Sequence, residues 1–318
     1  MSSTSSKSNI APKLPKPTLE PATHAENIRG SSFMVLSMAG FAINDTIVKS
    51  VGESLNLGQT LFIRGCFACI AIFIMAHFFG HLRPIREMLS KPILVRAAGE
   101  MLATFAFVTA LFHIPIANVA AIFQALPLAL TLYAALFLRE QVGWRRLAAI
   151  CVGFIGILII IRPGTDGFNI YSLLVLIAVA GSVLRDVTTR KLPKTTPSLM
   201  VTLITAIGVT LMGGVTALIE PWNPVSPANF GLLAATSIFL SIGYFGVINA
   251  MREGDIGFVS PFRYSVLLFS IIGGIVVFGD YPDQWTLLGS LIVVASGIYT
   301  LYRERIVHSQ KITPPPSR

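Results

Sequence analysis

Charged residues are scarce in this chain. Only 12% of its 318 residues are Asp, Glu, Lys or Arg, whereas 53% are hydrophobic, and the mean hydropathy is +0.73. A soluble protein carries about 25% charged residues, because charges cover the surface that faces water. The shortage excludes a soluble globular enzyme, a disordered chain and a secreted disulfide scaffold. It indicates a helical membrane protein with many spans.

Motifs for disulfides, metals and nucleotides are also missing. The three cysteines, Cys66, Cys69 and Cys151, lie in apolar runs and are interpreted as small packing residues. The five histidines form no zinc-binding pattern, and there is no P-loop or dinucleotide-binding motif. The sequence therefore predicts no metal site, no cofactor, no nucleotide-driven pump and no enzyme. The net charge of +9 predicts no nucleic-acid partner, because the basic residues form short clusters between apolar runs.

Ten apolar runs are long enough to cross a bilayer, which takes about 20 residues. His113-Ile114-Pro115 divides the uncharged stretch 101–138 into two of them, because proline ends one helix and can open the next. A polar head (1–30) and a polar tail (303–318) are predicted to be disordered and cytoplasmic. The predicted helices are 31–50, 57–79, 92–112, 115–138, 145–161, 169–190, 198–219, 229–250, 256–278 and 284–302.

The positions of the basic residues predict the orientation. If the ten helices alternate in direction, 18 of the 24 Lys and Arg lie on one side of the membrane, and only Lys49 and Arg162 lie on the other. Cytoplasmic loops carry the excess of positive charge. The sequence therefore predicts a multi-pass protein of the bacterial inner membrane with both termini in the cytoplasm.

The chain contains an internal repeat with an offset of 140 to 141 residues. At this offset Asp45 aligns with Asp186, Glu140 with Asp280 and Trp144 with Trp285. The repeat predicts two five-helix units, 31–161 and 169–302. Because five is odd, the second unit must cross the membrane in the opposite sense. Inverted repeats of this kind are typical of secondary transporters, which bind their substrate between the two halves.

Three segments carry a resemblance to a known family. They are Phe41 to Asp45, Phe137 to Val142 with Trp144, and Val277 to Pro282 with Trp285. With the two five-helix halves, they make residues 31–302 similar to EamA-type members of the drug/metabolite transporter superfamily. The family has an acidic residue after the fourth helix of each half, which Glu140 matches; Asp280 is a shorter variant. The resemblance implies a secondary transporter of a small organic metabolite that works by alternating access.

The opening from Phe33 to Asp45 further resembles the branch of bacterial riboflavin importers, so the most specific prediction is riboflavin uptake. Exporters of amino acids and other metabolites have similar openings, and export is the alternative. A membrane-embedded structural or assembly subunit is the alternative from another class. The expected partners are the lipid bilayer and a small molecule, a flavin if the riboflavin prediction holds, and the chain is expected to be a monomer or a homodimer.

Polar residues at membrane depth are costly, at roughly 2.5–3.5 kcal/mol for a charge, so each should face a partner or a cavity. Arg96 and Glu100 are one helical turn apart and are predicted to pair along one face, either as a structural bridge or as part of a site. Glu100 is also the candidate proton-coupling group. The predicted cavity residues are Arg64, Arg96, Glu100, Gln124, Arg263 and Tyr264.

A second polar set lies at mirrored depths in the two halves. Asn44 and Asp45 are in the first helix, and Arg185 and Asp186 are in the sixth. One hypothesis is that these four residues are gates, in which each acid meets an arginine in only one of the two access states. The alternative is that the acids anchor the helix ends at the polar interface beside Lys49 and Arg190.

Overall fold

The computed structural model describes residues 22–78, 84, 89–137, 143–165, 168–193 and 196–312. These contain ten helical segments long and apolar enough to cross a membrane, here called spans 1 to 10. Ten crossings place the two ends of the chain at one end of the bundle, called the termini end; the opposite end is the far end. The spans are His24–Val51, Leu57–Phe78, Lys91–His113, Ile116–Phe137, Trp144–Ile161, Tyr171–Arg190, Ser198–Ile219, Pro227–Glu253, Ser260–Phe278 and Gln284–Arg303.

The ends of the first and last spans differ from the predicted bounds. Span 1 begins at His24, before the predicted residue 31, because Thr23 and Glu26 form a capping box that starts the helix early. The helix of span 10 continues to Ile312, into the predicted tail. The rest of the predicted disordered head, residues 1–21, lies outside the described residues, as do residues 313–318 and Glu140.

Spans 4 and 9 are interrupted at matching places. Span 4 consists of helices Ile116–Phe123 and Leu126–Phe137, which are separated at Gln124. Pro127 has no N–H to donate to Phe123, so the first helix ends there. Span 9 begins with the 3₁₀ turn Ser260–Tyr264, which contains a proline, and ends with the π-helical turn Gly274–Phe278.

The packing of the spans shows the inverted repeat directly. Call spans 1–5 half one and spans 6–10 half two, so that spans 1 and 6, 2 and 7, 3 and 8, 4 and 9, and 5 and 10 correspond. Span 1 packs on span 8 and span 3 on span 6, and these two pairs exchange when the halves are exchanged. Spans 2 and 7 pack on each other, as do spans 5 and 10. The protein is therefore an all-α membrane protein of two inverted five-helix repeats.

Glycines allow the closest of these contacts. A Cβ at Gly99 of span 3 would lie 2.9 Å from the Gly181 carbonyl oxygen of span 6, and a Cβ at Gly181 would lie 2.8 Å from the Gly99 oxygen. The equivalent contact in the other pair involves Gly40 of span 1, whose Cβ would lie 2.9 Å from the Phe239 oxygen of span 8. Small residues that bring two backbones together are a recurring feature of helix packing in membranes.

Candidate functional site

A cavity of about 120 Å³ lies among spans 2, 3, 7 and 8, two spans from each half. Its walls combine aliphatic side chains with charged and hydroxyl groups. The lining residues are Leu61, Arg64, Gly65, Ala68 and Ile72 from span 2; Arg96, Glu100 and Thr104 from span 3; Thr202, Thr205, Ala206 and Val209 from span 7; and Leu240 and Tyr244 from span 8.

Most of the lining residues occur as pairs related by the repeat. Four pairs from spans 2 and 7 keep the offset of 141 residues: Leu61 with Thr202, Arg64 with Thr205, Gly65 with Ala206, and Ala68 with Val209. Two pairs from spans 3 and 8 keep the offset of 140: Glu100 with Leu240, and Thr104 with Tyr244. The cavity therefore lies on the pseudo-two-fold axis that relates the two halves.

The chemistry of the cavity does not follow this symmetry. Its charged lining residues, Arg64, Arg96 and Glu100, all belong to half one. Where half one has Arg64, half two has Thr205, and where half one has Glu100, half two has Leu240. A ligand on the axis would therefore meet charges on one side and hydroxyl, aliphatic and aromatic groups on the other.

Glu100 is paired with span 6 rather than with its own helix. The Arg185 guanidinium donates to Glu100 Oε2 at 3.0 Å and to Asp186 Oδ1 at 2.7 Å. The predicted Arg96–Glu100 pairing along one helix face was wrong. The close contact of Gly99 with Gly181 brings the backbone of Arg185 beside span 3, within reach of Glu100.

Arg96 is held by two threonines. It donates from Nε to Thr189 Oγ1 at 3.0 Å and from a terminal nitrogen to Thr205 Oγ1. Both hydroxyls donate in turn to carbonyl oxygens of their own helices, Arg185 and Val201 respectively. Arg96 thus connects span 3 to spans 6 and 7 and keeps its positive charge at the cavity wall.

Arg64 differs from the other two cavity charges, because within the described residues it makes no hydrogen bond or salt bridge. It is half-buried and interacts electrostatically with Asp45, Tyr244 and Glu100 over longer distances. The Tyr244 ring completes this part of the wall and packs edge-on against Phe41, with centroids 5.5 Å apart. A half-buried guanidinium that lacks a directly bound anion is a strong candidate to bind one.

The two mirrored acids have different environments. Asp186 forms the ion pair with Arg185, whereas Asp45 accepts a hydrogen bond from Asn44 Nδ2 at 2.9 Å and lies in the field of Arg64. Lys49 donates to the carbonyl oxygens of Leu111 and Ile114 at the end of span 3. The hypothesis that the four residues are gates stays a prediction.

Three of the sequence-predicted cavity residues lie elsewhere. Gln124, at the interruption of span 4, is buried, and its Nε2 has no hydrogen-bond partner among the described residues. Tyr264 is also buried and packs against Gly297 of span 10. Arg263 is exposed and interacts electrostatically with Asp186 and Arg185. Arg64, Arg96 and Glu100 are the predicted residues that the structure brings together in one cavity.

Sequence reasoning missed the half-two side of the cavity. Thr202 and Thr205 carry no charge and are ordinary residues for an apolar helix, so composition does not distinguish them. The repeat does, because shifting Leu61 and Arg64 by 141 positions points to these two threonines.

The two halves are joined at the far end by hydrogen bonds among a set of residues here called the far-end clasp: Ser54, Gln59, Glu220, Asn223 and Asn229. Gln59 is fully buried, donates from Nε2 to the Asn223 carbonyl oxygen at 2.8 Å, and accepts from the Asn223 N–H at 3.0 Å. Asn223 and Asn229 also donate to Ser54, and Glu220 accepts from the Gly58 N–H at 2.9 Å. At the termini end the counterpart of Gln59 is Met200, in an apolar cluster with Ile93.

The model of the EamA-like transporter family matches the chain twice, at residues 28–162 and 169–302. The chain belongs to this family. It is therefore a multi-pass membrane transporter of small metabolites, and the resemblance identified from sequence is confirmed. A crystal structure with 16% sequence identity superposes with a TM-score of 0.58 and covers 89% of this chain and 98% of its own, which supports the fold.

Relatives with assigned substrates are distant. The S-adenosylmethionine uptake transporter of Rickettsia prowazekii is 25% identical over 286 residues, which are 89% of this chain and 96% of the relative. The riboflavin transporter of Vibrio cholerae is 26% identical over 273 residues, 85% and 91% of the two chains. The pseudopaline exporter of Pseudomonas aeruginosa is 22% identical over 283 residues, 85% and 94%.

Proposed function

We propose that this family member is a secondary carrier that takes up an amphoteric metabolite with a carboxylate and a ring system across the bacterial inner membrane. The proposal depends on one observation: the Arg64 guanidinium lines the cavity but makes no hydrogen bond or salt bridge in the described part of the chain. Glu100 is already engaged by Arg185. The substrate carboxylate binds Arg64 and supplies the missing charge-assisted hydrogen bonds.

The rest of the substrate faces half two. Thr202 and Thr205 donate their hydroxyl protons to backbone carbonyls, so they can offer the substrate only an acceptor oxygen. The Tyr244 ring offers an aromatic face that can stack on a flat ring or attract a cation. Ligand sites typically measure about 300–1,000 Å³, so the cavity of about 120 Å³ represents a contracted state. The substrate enters a wider conformation, and the walls then close on it.

S-adenosylmethionine, the substrate named for the Rickettsia relative, fits this cavity better than riboflavin does. It has a carboxylate for Arg64, and the Tyr244 face can stack on its adenine ring or attract one of its positive groups. Riboflavin, the substrate favoured by the opening segment of the sequence, has a flat ring but no ionised group at neutral pH. It would leave Arg64 without the charge-assisted hydrogen bonds that a carboxylate supplies.

We also propose that both termini lie in the cytoplasm, that the two five-span repeats are residues 31–161 and 169–302, and that the two-fold-related walls move alternately. The basic loops predicted at the termini end support this orientation.

Transport by purified protein in liposomes tests the proposal. Labelled S-adenosylmethionine and riboflavin are offered separately to the wild type, Arg64→Gln and Arg64→Lys. Arg252→Gln, at the exposed end of span 8, is the control for loss of an arginine outside the cavity. We expect uptake of S-adenosylmethionine to fall at least about tenfold in Arg64→Gln, to be partly retained in Arg64→Lys and to be unchanged in the control.

Each other outcome selects an alternative. If the protein takes up riboflavin but not S-adenosylmethionine, and Arg64→Gln does not change that uptake, the protein is a riboflavin carrier and the proposal is wrong. Movement only from preloaded liposomes outward would make the protein an exporter. Absence of flux for both compounds and for amino acids would favour the structural or assembly subunit.

A further inference from the structure

A second concavity lies on the outside of the bundle, away from the cavity. It is a shallow groove of about 380 Å³ between spans 5 and 10 at the termini end. Span 5 contributes Trp144, Arg145, Ala148 and Val152, and span 10 contributes Ser296 and Tyr299. Trp144 is 75% exposed and Tyr299 is 42% exposed, so the groove opens onto the surface that faces lipid.

The groove begins where the close contact of the two spans stops. A Cβ at Gly156 would lie 2.9 Å from the Gly289 oxygen, and a Cβ at Gly153 would lie 2.6 Å from Ser296 Oγ, so the helices touch at these levels. Toward the termini end the wall of span 5 is made of Ala148 and Val152, one turn apart on the same face as Arg145. Small side chains there leave a slot that is apolar along its length.

The mouth of the slot has the chemistry of a membrane interface. Trp144 and Tyr299 are the residue types that concentrate at headgroup level. The Arg145 guanidinium lies over the Trp144 ring, 5.5 Å from its centroid, which fixes the cation at the mouth and leaves its N–H edge available. The first turn of span 5 begins at Gly143, whose lack of a side chain leaves the turn without a side-chain cap.

We propose that this groove is a binding site for an anionic phospholipid. The phosphate of the headgroup binds Arg145, and an acyl chain lies along Ala148 and Val152. Basic pockets between transmembrane helices on the cytoplasmic side bind acidic headgroups for this reason. A second copy of the chain fits less well, because no carboxylate is among the described lining residues to neutralise Arg145.

Native mass spectrometry of the purified, delipidated protein tests the site. Phosphatidylglycerol and phosphatidylcholine with identical acyl chains are titrated separately onto the wild type, Arg145→Lys and Arg145→Gln. Arg190→Gln is the matched control, since Arg190 is an exposed arginine at the end of span 6, outside the groove. The expected result is preferential binding of phosphatidylglycerol, weakened about fivefold by Arg145→Gln and by neither Arg145→Lys nor Arg190→Gln.

Four results would overturn the proposal. Equal binding of the two lipids would remove the role of headgroup charge, and binding unaffected by Arg145→Gln would move the site elsewhere. Dimers that persist after delipidation and dissociate in a groove-filling Ala148→Leu variant would assign the groove to a second copy. Glycerol 3-phosphate, which has the phosphate without chains, should not displace the lipid; displacement would show that a free phosphate is the ligand. The test is independent of transport, so it stands whichever substrate is carried.

Discussion

The Cys69 thiol of span 2 and the Thr210 hydroxyl of span 7 lie 3.5 Å apart and are 141 residues apart in sequence. This separation is the offset of the repeat, so the two residues are each other's counterparts. A residue can touch its own counterpart only close to the axis that relates the halves. The contact therefore locates the pseudo-two-fold axis between spans 2 and 7, beside the cavity.

Gly99→Ala should destabilise the protein by about 1–3 kcal/mol, because the new Cβ would lie 2.9 Å from the Arg185 nitrogen and the Gly181 oxygen, both of the backbone. Equilibrium unfolding in mixed detergent micelles measures the change. Gly231→Ala is the control: a Cβ there meets no heavy atom within 4 Å, and alanine favours a helix by up to about 1 kcal/mol. Equal stability of Gly99→Ala and the wild type would mean that spans 3 and 6 separate at little cost.

Glu100→Gln should abolish any dependence of substrate uptake on the proton gradient. Glu100 is the carboxylate among the described residues that line the cavity, and a glutamine there cannot release or bind a proton. The measurement is the initial rate of uptake across a range of external pH, with and without an imposed gradient. A pH dependence that survives in the variant would assign coupling to another group.

Asp45→Asn and Asp186→Asn should slow opposite half-cycles. In the described part of the chain Asp186 is ion-paired and Asp45 is not, as expected if each acid is engaged in a different access state. Comparing uptake with efflux from preloaded liposomes measures the two directions, and the two variants serve as each other's control. If both variants keep wild-type kinetics in both directions, the acids only anchor helix ends.

Gln59→Leu should open the far end more often. The substitution removes the two hydrogen bonds between Gln59 and Asn223, worth about 1–3 kcal/mol together. In a Cys151→Ser background, a membrane-impermeant maleimide applied from the far end should label Cys66 and Cys69 at least about fivefold faster. Asn249→Ala is the control, because the Asn249 side chain donates to Phe245 of its own helix. Unchanged labelling would show that the clasp does not limit access.

Much of the architecture could be predicted from sequence, because the bilayer constrains the chain strongly. A span needs a long apolar run, and such runs separated by basic clusters are visible without any structure. The landmarks Asp45 and Asp186 revealed the repeat, and the odd number of spans in each half required its inversion. The break in span 4 before Pro127 was not predicted, since the sequence analysis has one continuous helix over 115–138, although the missing N–H of proline explains it.

The partners of the polar groups depended on tertiary structure. Arg96 and Glu100 satisfy the spacing rule for an ion pair on one helix, and the rule failed because the Gly99–Gly181 contact brings Arg185 closer to Glu100. Arg64 likewise has no direct partner among the described residues because of how spans 2, 3, 7 and 8 meet at the axis, which the sequence does not show. Sequence alone determined that this protein is an inverted-repeat membrane protein with ten spans, because hydrophobic length and charge act along the chain. Only the tertiary structure decided which charges remain free for a ligand, because that depends on distances between helices.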